Sequence, residues 1–530
     1  MKRSLTSILA AAAMLVAPNV NAGEVYFFSP NGSGEGYSWD DPMNGDDLEA
    51  SIKGAAAGDI FYLMEGTYTA RTSGIFEIPF GVTIKGGYPA SSTGENVDIT
   101  YPTGAETILD ADLDGDGLGD NGNKAFIYIA GNEEGYYSDV APIVIEGVTI
   151  KNARVGSDTE KAVSDYTGAA LYADNAQLTL SHVKFADNVR VGDIANKYCR
   201  GSIIIVRGCY TYAHDCVWEN NEGQSAGCCF AARQRGGNTS DLADTEYGIS
   251  ILDRCYFAPT NKMEDVTTTN NRYGGVVTLA DYGGIMVMNN CTGYSTSDNP
   301  TIHSIGAFSR IGTAATFYMT NCTIFDYYAY EAKNLKGVFS IGKLATAYFA
   351  NNIVVNSTDT AADDNASVMW FQEGTTTYTS AGYNVWGSTF DPNSKASLQS
   401  TDKTGNTNTV ATVFGTATVA DGVIAPLESY RTVPTADIKA AATTWGIDKY
   451  VDVTIDQKGN ARPATTVPGA YDANASSGIE NVIADDNAEV IAVEYYNIQG
   501  QKLSVEPENG LYIQKAIKAD GTVKASKLVK

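Results

Sequence analysis

IMVMNNCTG (Ile285 to Gly293) and TFYMTNCTI (Thr316 to Ile324) spell one pattern twice, 31 residues apart. Met286 and Met288 in one copy, and Phe317 and Met319 in the other, alternate along a strand and so share a face. A break ending in Asn follows, a residue type that tolerates left-handed backbone. Cys291 or Cys322 then opens a second short strand. Five further copies lie around these two: IVIEGVTI from Ile143, QLTLSHVKF from Gln177, YTYAHDCVW from Tyr210, SILDRCYF from Ser250 and YFANNIVV from Tyr348. Aligned on Val148, Val183, Cys216, Cys255, Cys291, Cys322 and Ile353, they recur after 35, 33, 39, 36, 31 and 31 residues. Gly147, His182, Asp215, Arg254, Asn290, Asn321 and Asn352 precede the anchors, and Ile150, Phe185, Trp218, Phe257, Ile324 and Val355 come two after.

A period of this size marks one coil of a solenoid with surface loops. Two short strands per phrase, with their inward faces in register across a left-handed break, predict an all-β, right-handed parallel β-helix of about ten coils. FGVTIKG near Val82 and SAGYNV near Tyr383 read as further coils on either side. Asn44 to Asp47 start a short helix with Leu48, Ile52 and Ala55 on one face, a cap for the open end of the stack.

The outer segments read differently. Lys2 and Arg3 precede an apolar run from Ile8 to Ala17, and Val20-Asn21-Ala22 offers small residues for cleavage, so residues 1–22 are expected to be a secretory signal. That run is too short to span a bilayer, and no later stretch is a candidate transmembrane helix. No cysteine follows the expected cut, so a lipid-anchored form is not expected. The mature chain is thus expected to be secreted or at the cell surface, with residues 23–475 forming the solenoid and 476–530 a linker and small β-domain.

The formal net charge of −26 opposes nucleic acid and anionic membranes as partners. Eight cysteines in an exported chain invite disulfides. Cys216, Cys255, Cys291 and Cys322 fall at one position of successive coils, however, about 4.8 Å apart with parallel side chains. Disulfides need closer, converging Cβ atoms, so a ladder of buried thiols is expected. Cys199, Cys209, Cys228 and Cys229 lie outside that ladder.

FFSPNGSG at Phe27, AAAGDIFYLMEGTY from Ala55 and VTIKGGYPASSTG at Val82 together resemble the start of exported bacterial right-handed β-helix proteins. DQKGNARPATTVPGAY (Asp456 to Tyr471) resembles the segment that closes such domains, through Gly459, Arg462, Pro463, Gly469 and Ala470. VEYYNIQGQKL from Val493, GLYIQK from Gly510 and the basic ending at Lys524 to Lys530 resemble C-terminal sorting domains of type IX-like secretion. That resemblance implies a short β-sandwich read by export machinery. The solenoid resemblance implies a fold that hosts lyases, hydrolases, adhesins and inert surface proteins alike.

Three constellations carry candidate chemistry. Asp110, Asp112, Asp114, Asp116 and Asp120 gather hard oxygens on a glycine-rich loop, which suits a structural calcium ion, although no Glu stands where an EF-hand would need it. Strand ends before the phrases carry Asp174, Arg207, Arg233, Asp281, Arg310, Lys343 and Glu373, one charge per coil. Stacked on one outer edge, these would form a column that either pairs its own charges or grips an extracellular polysaccharide or host-matrix ligand. His182 and His214 are assigned to the turn geometry of their breaks, and His303 has no evident partner. The leading expectation is a ligand-binding surface protein without catalysis. The alternatives are a polysaccharide lyase or glycoside hydrolase acting on an acidic glycan, for which no family motif is present, and a structural stalk.

Overall fold

The computed structural model describes residues 23–529 other than 123, 130, 132–135, 156–167, 191–201, 224–228, 234–247, 264–275, 281–282, 296–306, 328–337, 358–368, 372–376, 388–397, 406, 477–489, 498–501, 504–510 and 519–522. The expected signal, Cys199, Cys228, Asp281, His303 and Glu373 lie outside the described residues.

Three long parallel sheets run the length of the solenoid. Sheet 1 has twelve strands, sheet 2 eleven and sheet 3 nine, and a short fourth sheet has four. One coil passes, for example, from Gln177–Ser181 in sheet 1 to Lys184–Ala186 in sheet 2, to Val189–Arg190 in sheet 4, and then to Ile204–Arg207 in sheet 3. Each strand pairs in parallel with its counterparts one coil before and after, as Leu178 does with Ile143 and Thr211. This is a parallel β-helix, in which every backbone ladder is closed by a neighbouring coil.

Alternation builds the core. Met286, Met288, Phe317 and Met319 point inward and are wholly buried, as are Ile150, Phe185, Trp218 and Ile324 of sheet 2. Between the two sheets the chain turns through left-handed residues at Gly147, His182, Asp215, Arg254, Asn290 and Asn321, with φ between 52° and 66°. Cys216, Cys255, Cys291 and Cys322 follow as buried free thiols, and Cys209 and Cys229 are buried and free as well. The ladder thiols donate to backbone carbonyls, for instance Cys255 Sγ to Ala213 O at 3.4 Å and Cys291 Sγ to Leu252 O at 3.3 Å.

The seventh phrase is shifted by one residue from its expected alignment. Thr323 pairs with Ile353, so Asn352 and not Ile353 occupies the rung of Cys322, and Asn351 is the left-handed residue. An amide can hold that rung because it satisfies itself there. Asn352 Oδ1 accepts from Cys322 N at 2.9 Å, and its Nδ2 donates to Met319 O at 2.9 Å. A second amide ladder, which the sequence reading did not find, runs through Asn188, Asn221 and Asn261 at the turn after sheet 2.

At the N-terminal end, α1 (Leu48–Lys53) buries Leu48 and Ile52 and packs Ala55 partly against the core. Asn44 accepts from Asp46 N at 2.9 Å and opens that turn. Past the last coils come α2 (Val410–Phe414) and α3 (Thr435–Trp445). Ile438 and Ala442 of α3 lie against Ile249, Ile251 and Val287 on the outer face of sheet 1. The following segment then runs along the seam between sheets 1 and 2. Asn289 and Asn321 donate to the Asp452 and Val453 carbonyls, and Gly469 N donates to Asn351 O. Arg462, 7% exposed, ties this segment down through Ile455 O, Gly469 O and Asn290 Oδ1.

Contacts divide the chain into two compact units at Ala475/Ser476. The second holds, among its described residues, one four-stranded antiparallel sheet built from Val490–Asn497, Lys502–Leu503, Leu511–Lys518 and Val523–Val529. A second layer, which a sandwich would require, is not among the described residues.

Candidate functional site

The expected column of charges forms only in part. Sheet 3 pairs Asp174 with Arg207 and Arg207 with Arg233, so these three are in register on successive coils. Arg207 Nη1 lies 3.7 Å from Asp174 Oδ2 and donates to the Tyr172 hydroxyl at 2.9 Å. Burial, aided by the Asp174 charge, pushes that hydroxyl up to about 12. Tyr172 stacks on Tyr128 of the preceding coil, with centroids 5.7 Å apart and planes 11° from parallel.

Asp281, the next expected member, lies outside the described residues, and by Arg310 the column is broken. Ala232 pairs with Ala280 and Ala280 with Ile311, which leaves Arg310 level with Leu279 and out of the Arg233 row. Lys343 sits exposed on the turn after Phe339–Ile341. Arg233 is also buried, at 7% exposure, where an exposed position was expected. The physical reason is that counting back from an anchor includes turn residues, which differ in number between coils. Only the pairing of strands sets register.

The acidic loop gathers three of its five carboxylates. One oxygen each from Asp112, Asp114 and Asp116 lies within 4.8 Å of the others. Asp110 and Asp120 are outside that group and serve the loop itself. Asp110 Oδ1 accepts from Asn152 Nδ2 at 2.9 Å, and Asp120 Oδ2 accepts from Leu113 N at 2.7 Å. Asp112 accepts the amides of Gly115 and Gly117, which folds the loop around its side chain. Three convergent hard oxygens fit calcium chemistry, with further oxygens needed to complete six to eight.

A third cluster lies in the seam between sheets 1 and 2, where only turn geometry was expected of the histidines. His182, Asp215 and Arg254 share the left-handed rung on three successive coils, and His214 and Asp253 come from the rung before it. Asp215 accepts from Arg254 Nε at 2.9 Å and Nη2 at 2.7 Å, and its Oδ2 lies 2.7 Å from His214 Nδ1. Arg254 Nη1 reaches Asp253 at 2.5 Å, and Asp253 Oδ1 accepts from Asn289 Nδ2 at 2.9 Å. On the other side, His182 Nδ1 lies 3.0 Å from Ser181 Oγ, which is 3.4 Å from Glu146 Oε1. Glu146 in turn pairs with Lys85 at 2.9 Å.

Electrostatics separate the two aspartates. Burial would raise Asp215, but hydrogen bonds from His214 and Arg254 outweigh it and bring the carboxyl down to about 2. Asp253 is almost fully enclosed, and burial pushes it up to about 6 against the pull of Arg254 and Asn289. Burial also lowers His182. Tyr101 stacks on His182 at 4.8 Å, and Tyr212 leans on His214 at 4.7 Å, so aromatic rings wall the cluster.

No family model matches the chain. No curated protein matches it either. Among solved structures it is similar to the family 28 exopolygalacturonase of Yersinia enterocolitica, at 10% identity over 72% of this chain and 78% of that one, with a TM-score of 0.24.

Proposed function

We propose that this chain is an exported β-helix protein of the cell surface that binds an extracellular glycan along the outer side of sheet 3 without transforming it. The observation that supports the reading is the in-register group of Tyr128, Tyr172, Asp174 and Arg207. Half-buried Tyr128 offers part of a flat apolar face with buried Tyr172 stacked behind it, and the neighbouring guanidinium and carboxylate offer directional hydrogen bonds. Side chains repeating at the coil pitch, about 4.8 Å, suit a ligand that itself repeats. Arg207 and Asp174 retain 24% and 21% side-chain exposure, enough to be reached. In the same reading residues 1–22 direct export and are removed, and residues 476–530 are recognised by the export machinery. Asp112, Asp114 and Asp116 hold a calcium ion that stiffens their loop.

The test is a glycan array probed with the purified mature chain, followed by calorimetry on the best ligand. Arg207→Ala should weaken binding about tenfold, the loss of one charge-assisted contact. Absence of binding to any glycan would favour a structural stalk. New unsaturated or reducing ends on incubation with uronate polymers would replace the binding reading with an enzymatic one.

A further inference from the structure

We propose that Asp253 makes docking of the returning segment pH-dependent, so that a proton taken up by this carboxyl tightens the segment against the seam. Asp253 ends a sheet 1 strand, level with His214 on the coil before and Asn289 on the coil after. Two residues earlier on the same outer face stand Tyr212, Ile251 and Val287. Ile251 and Val287 cluster with Val451 and Val453 of the returning segment, which therefore lies over this end of the sheet. Exposure along the row falls where the segment arrives. The long side chains of Glu146 and His214 keep 19% and 20%, whereas Asp253, Asn289 and Thr320 keep 1% or less. Asn289 Nδ2 donates to Asp253 Oδ1 at 2.9 Å and to Asp452 O of the segment at 3.2 Å. Asn321 Nδ2 reaches Asn289 Oδ1 at 3.3 Å and Val453 O at 2.9 Å. Two amides thus join the carboxyl to the segment.

The seam turns Arg254 Nη1 toward Asp253 at 2.5 Å and the Tyr212 hydroxyl at 3.4 Å, with Asp215 and His214 beyond the guanidinium. From the segment Asp452 presents its carbonyl, while its carboxylate accepts from Thr454 N and Oγ1. A proton on Asp253 Oδ2 can be donated to the Tyr212 hydroxyl. Arg254 keeps both bonds to Asp215, and Oδ1 keeps Asn289, so the neutral acid leaves the link to the segment whole. Enclosure holds Asp253 up at about 6, above its ordinary 3.8. A segment that lifts off returns the carboxyl toward water and its ordinary value, so the docked form binds the extra proton. Docking therefore tightens as pH falls through about 6, and that gain is lost as pH rises. Asp456, within the segment, is raised by its own burial in the same direction. Arg462 stays charged and Asp472 is held below its usual value, so neither titrates in this range.

The experiment is amide hydrogen exchange on the full chain, with rates corrected for the intrinsic effect of pH. Gly469 N and Ala470 N report docking, because they donate to Asn351 O and Thr323 Oγ1 of the solenoid. Between about pH 8 and about pH 5 their opening should become at least about tenfold rarer, the part of the linkage that this interval covers. Asp253→Asn should be tight at both ends and lose that tenfold change, since an uncharged amide stands in for the neutral acid. Asp456→Asn should keep it. Peptides around Ile150 and Phe185 supply the baseline for the rest of the solenoid. A flat or reversed dependence in the unaltered chain would overturn the proposal without any variant. So would a dependence undiminished in Asp253→Asn, or one that vanishes in Asp456→Asn.

Discussion

Replacing Arg462 by Met tests whether the returning segment is held by one buried side chain. The guanidinium donates to Ile455 O at 2.9 Å, Gly469 O at 2.7 Å and Asn290 Oδ1 at 3.0 Å, as well as to Ala470 O and Thr466. Ala470 O also accepts from Gln457 N, and the Thr466 hydroxyl also donates to Asp472, so these two keep a partner. Three acceptors would be left buried without theirs, each worth about 1–3 kcal/mol. Water entering the seam and the apolar contacts of Met recover part of this, so the expected loss is about 4 kcal/mol, in the range for breaking a buried charged contact. Burial holds the Arg462 guanidinium down to about 10, against the pull of the Asp456 and Asp472 charges, so the cation depends on its partners here. Because a solenoid need not unfold as one unit, the assay is amide hydrogen exchange and not a single melting curve. A 4 kcal/mol local loss corresponds to about a thousandfold faster exchange through the returning segment, including the Gly469 amide that donates to Asn351 O. Coils around Ile150 and Phe185 should be unaffected. A variant within about 1 kcal/mol of the original, or loss of protection spread evenly along all coils, would show that the segment is held by its apolar contacts and that Arg462 is incidental.

Two more outcomes follow from the same packing. Asp472 is buried against Arg431, with bonds of 2.7 and 2.8 Å, and accepts from Thr466 at 2.6 Å. Burial would raise its carboxyl, but those hydrogen bonds win and hold it below the usual value of 3.8. Its folded pKa is therefore depressed, so its stabilisation is present above the unfolded pKa and is lost as pH falls through the folded one. Asp472→Asn should then be costly at pH 7 in urea titrations and cost less as the pH falls below the usual carboxylate range, and a cost that grows on acidification would refute the pairing. Cys291→Asp places a charge in the core and should cost more than about 4 kcal/mol, whereas Cys291→Ala should cost about 1 kcal/mol. Burial raises the thiols of Cys216, Cys255 and Cys291 well above their usual pKa, so none should react with a disulfide reagent until the chain unfolds, as located by peptide mass spectrometry.

The solenoid was legible because its phrase is dictated by period-two burial on both sides of a left-handed break. Where the phrase is strict, as from Met286 to Cys291, sequence distance equals register. The one slip came at Tyr348 to Val355, where two consecutive asparagines made the break ambiguous and hydrophobicity favoured Ile353 as the anchor. Pairing resolves it, because Phe349 is then the inward residue and is fully buried, while Tyr348 stacks outside on Tyr318 at 4.7 Å. An asparagine in a core rung contradicts simple polarity. It fits only because stacked amides bond to backbone and to the next amide, as Asn352 does to Asn384 at 2.9 Å.

The two groups of charged residues fared oppositely for one reason. Asp174, Arg207 and Arg233 each end their sheet 3 strand and so stay aligned, although only two residues lead from Asp174 and Arg207 to sheet 1 and a long insertion leads from Arg233. Arg310, twelve residues before its anchor where most stood nine or ten, lies one residue inside its strand and off the row. His182, Asp215 and Arg254 lie inside the uninterrupted phrase, immediately before their anchors, so their stacking was implied by the alignment itself. A neutral imidazole, an acid and a base on three successive rungs should have been read as a bonded chain and not as three separate turn residues. His214 and Asp253, one position earlier, widen that chain by the same logic, because neighbouring rungs of one seam are as close as neighbouring coils. The return of residues 447–472 along this seam has no such signal, since nothing local in DQKGNARPATTVPGAY says where it docks. Arg462 does not supply one, because it is held mostly by the segment's own carbonyls, Ile455 O, Gly469 O and Ala470 O, and reaches the seam through Asn290 Oδ1.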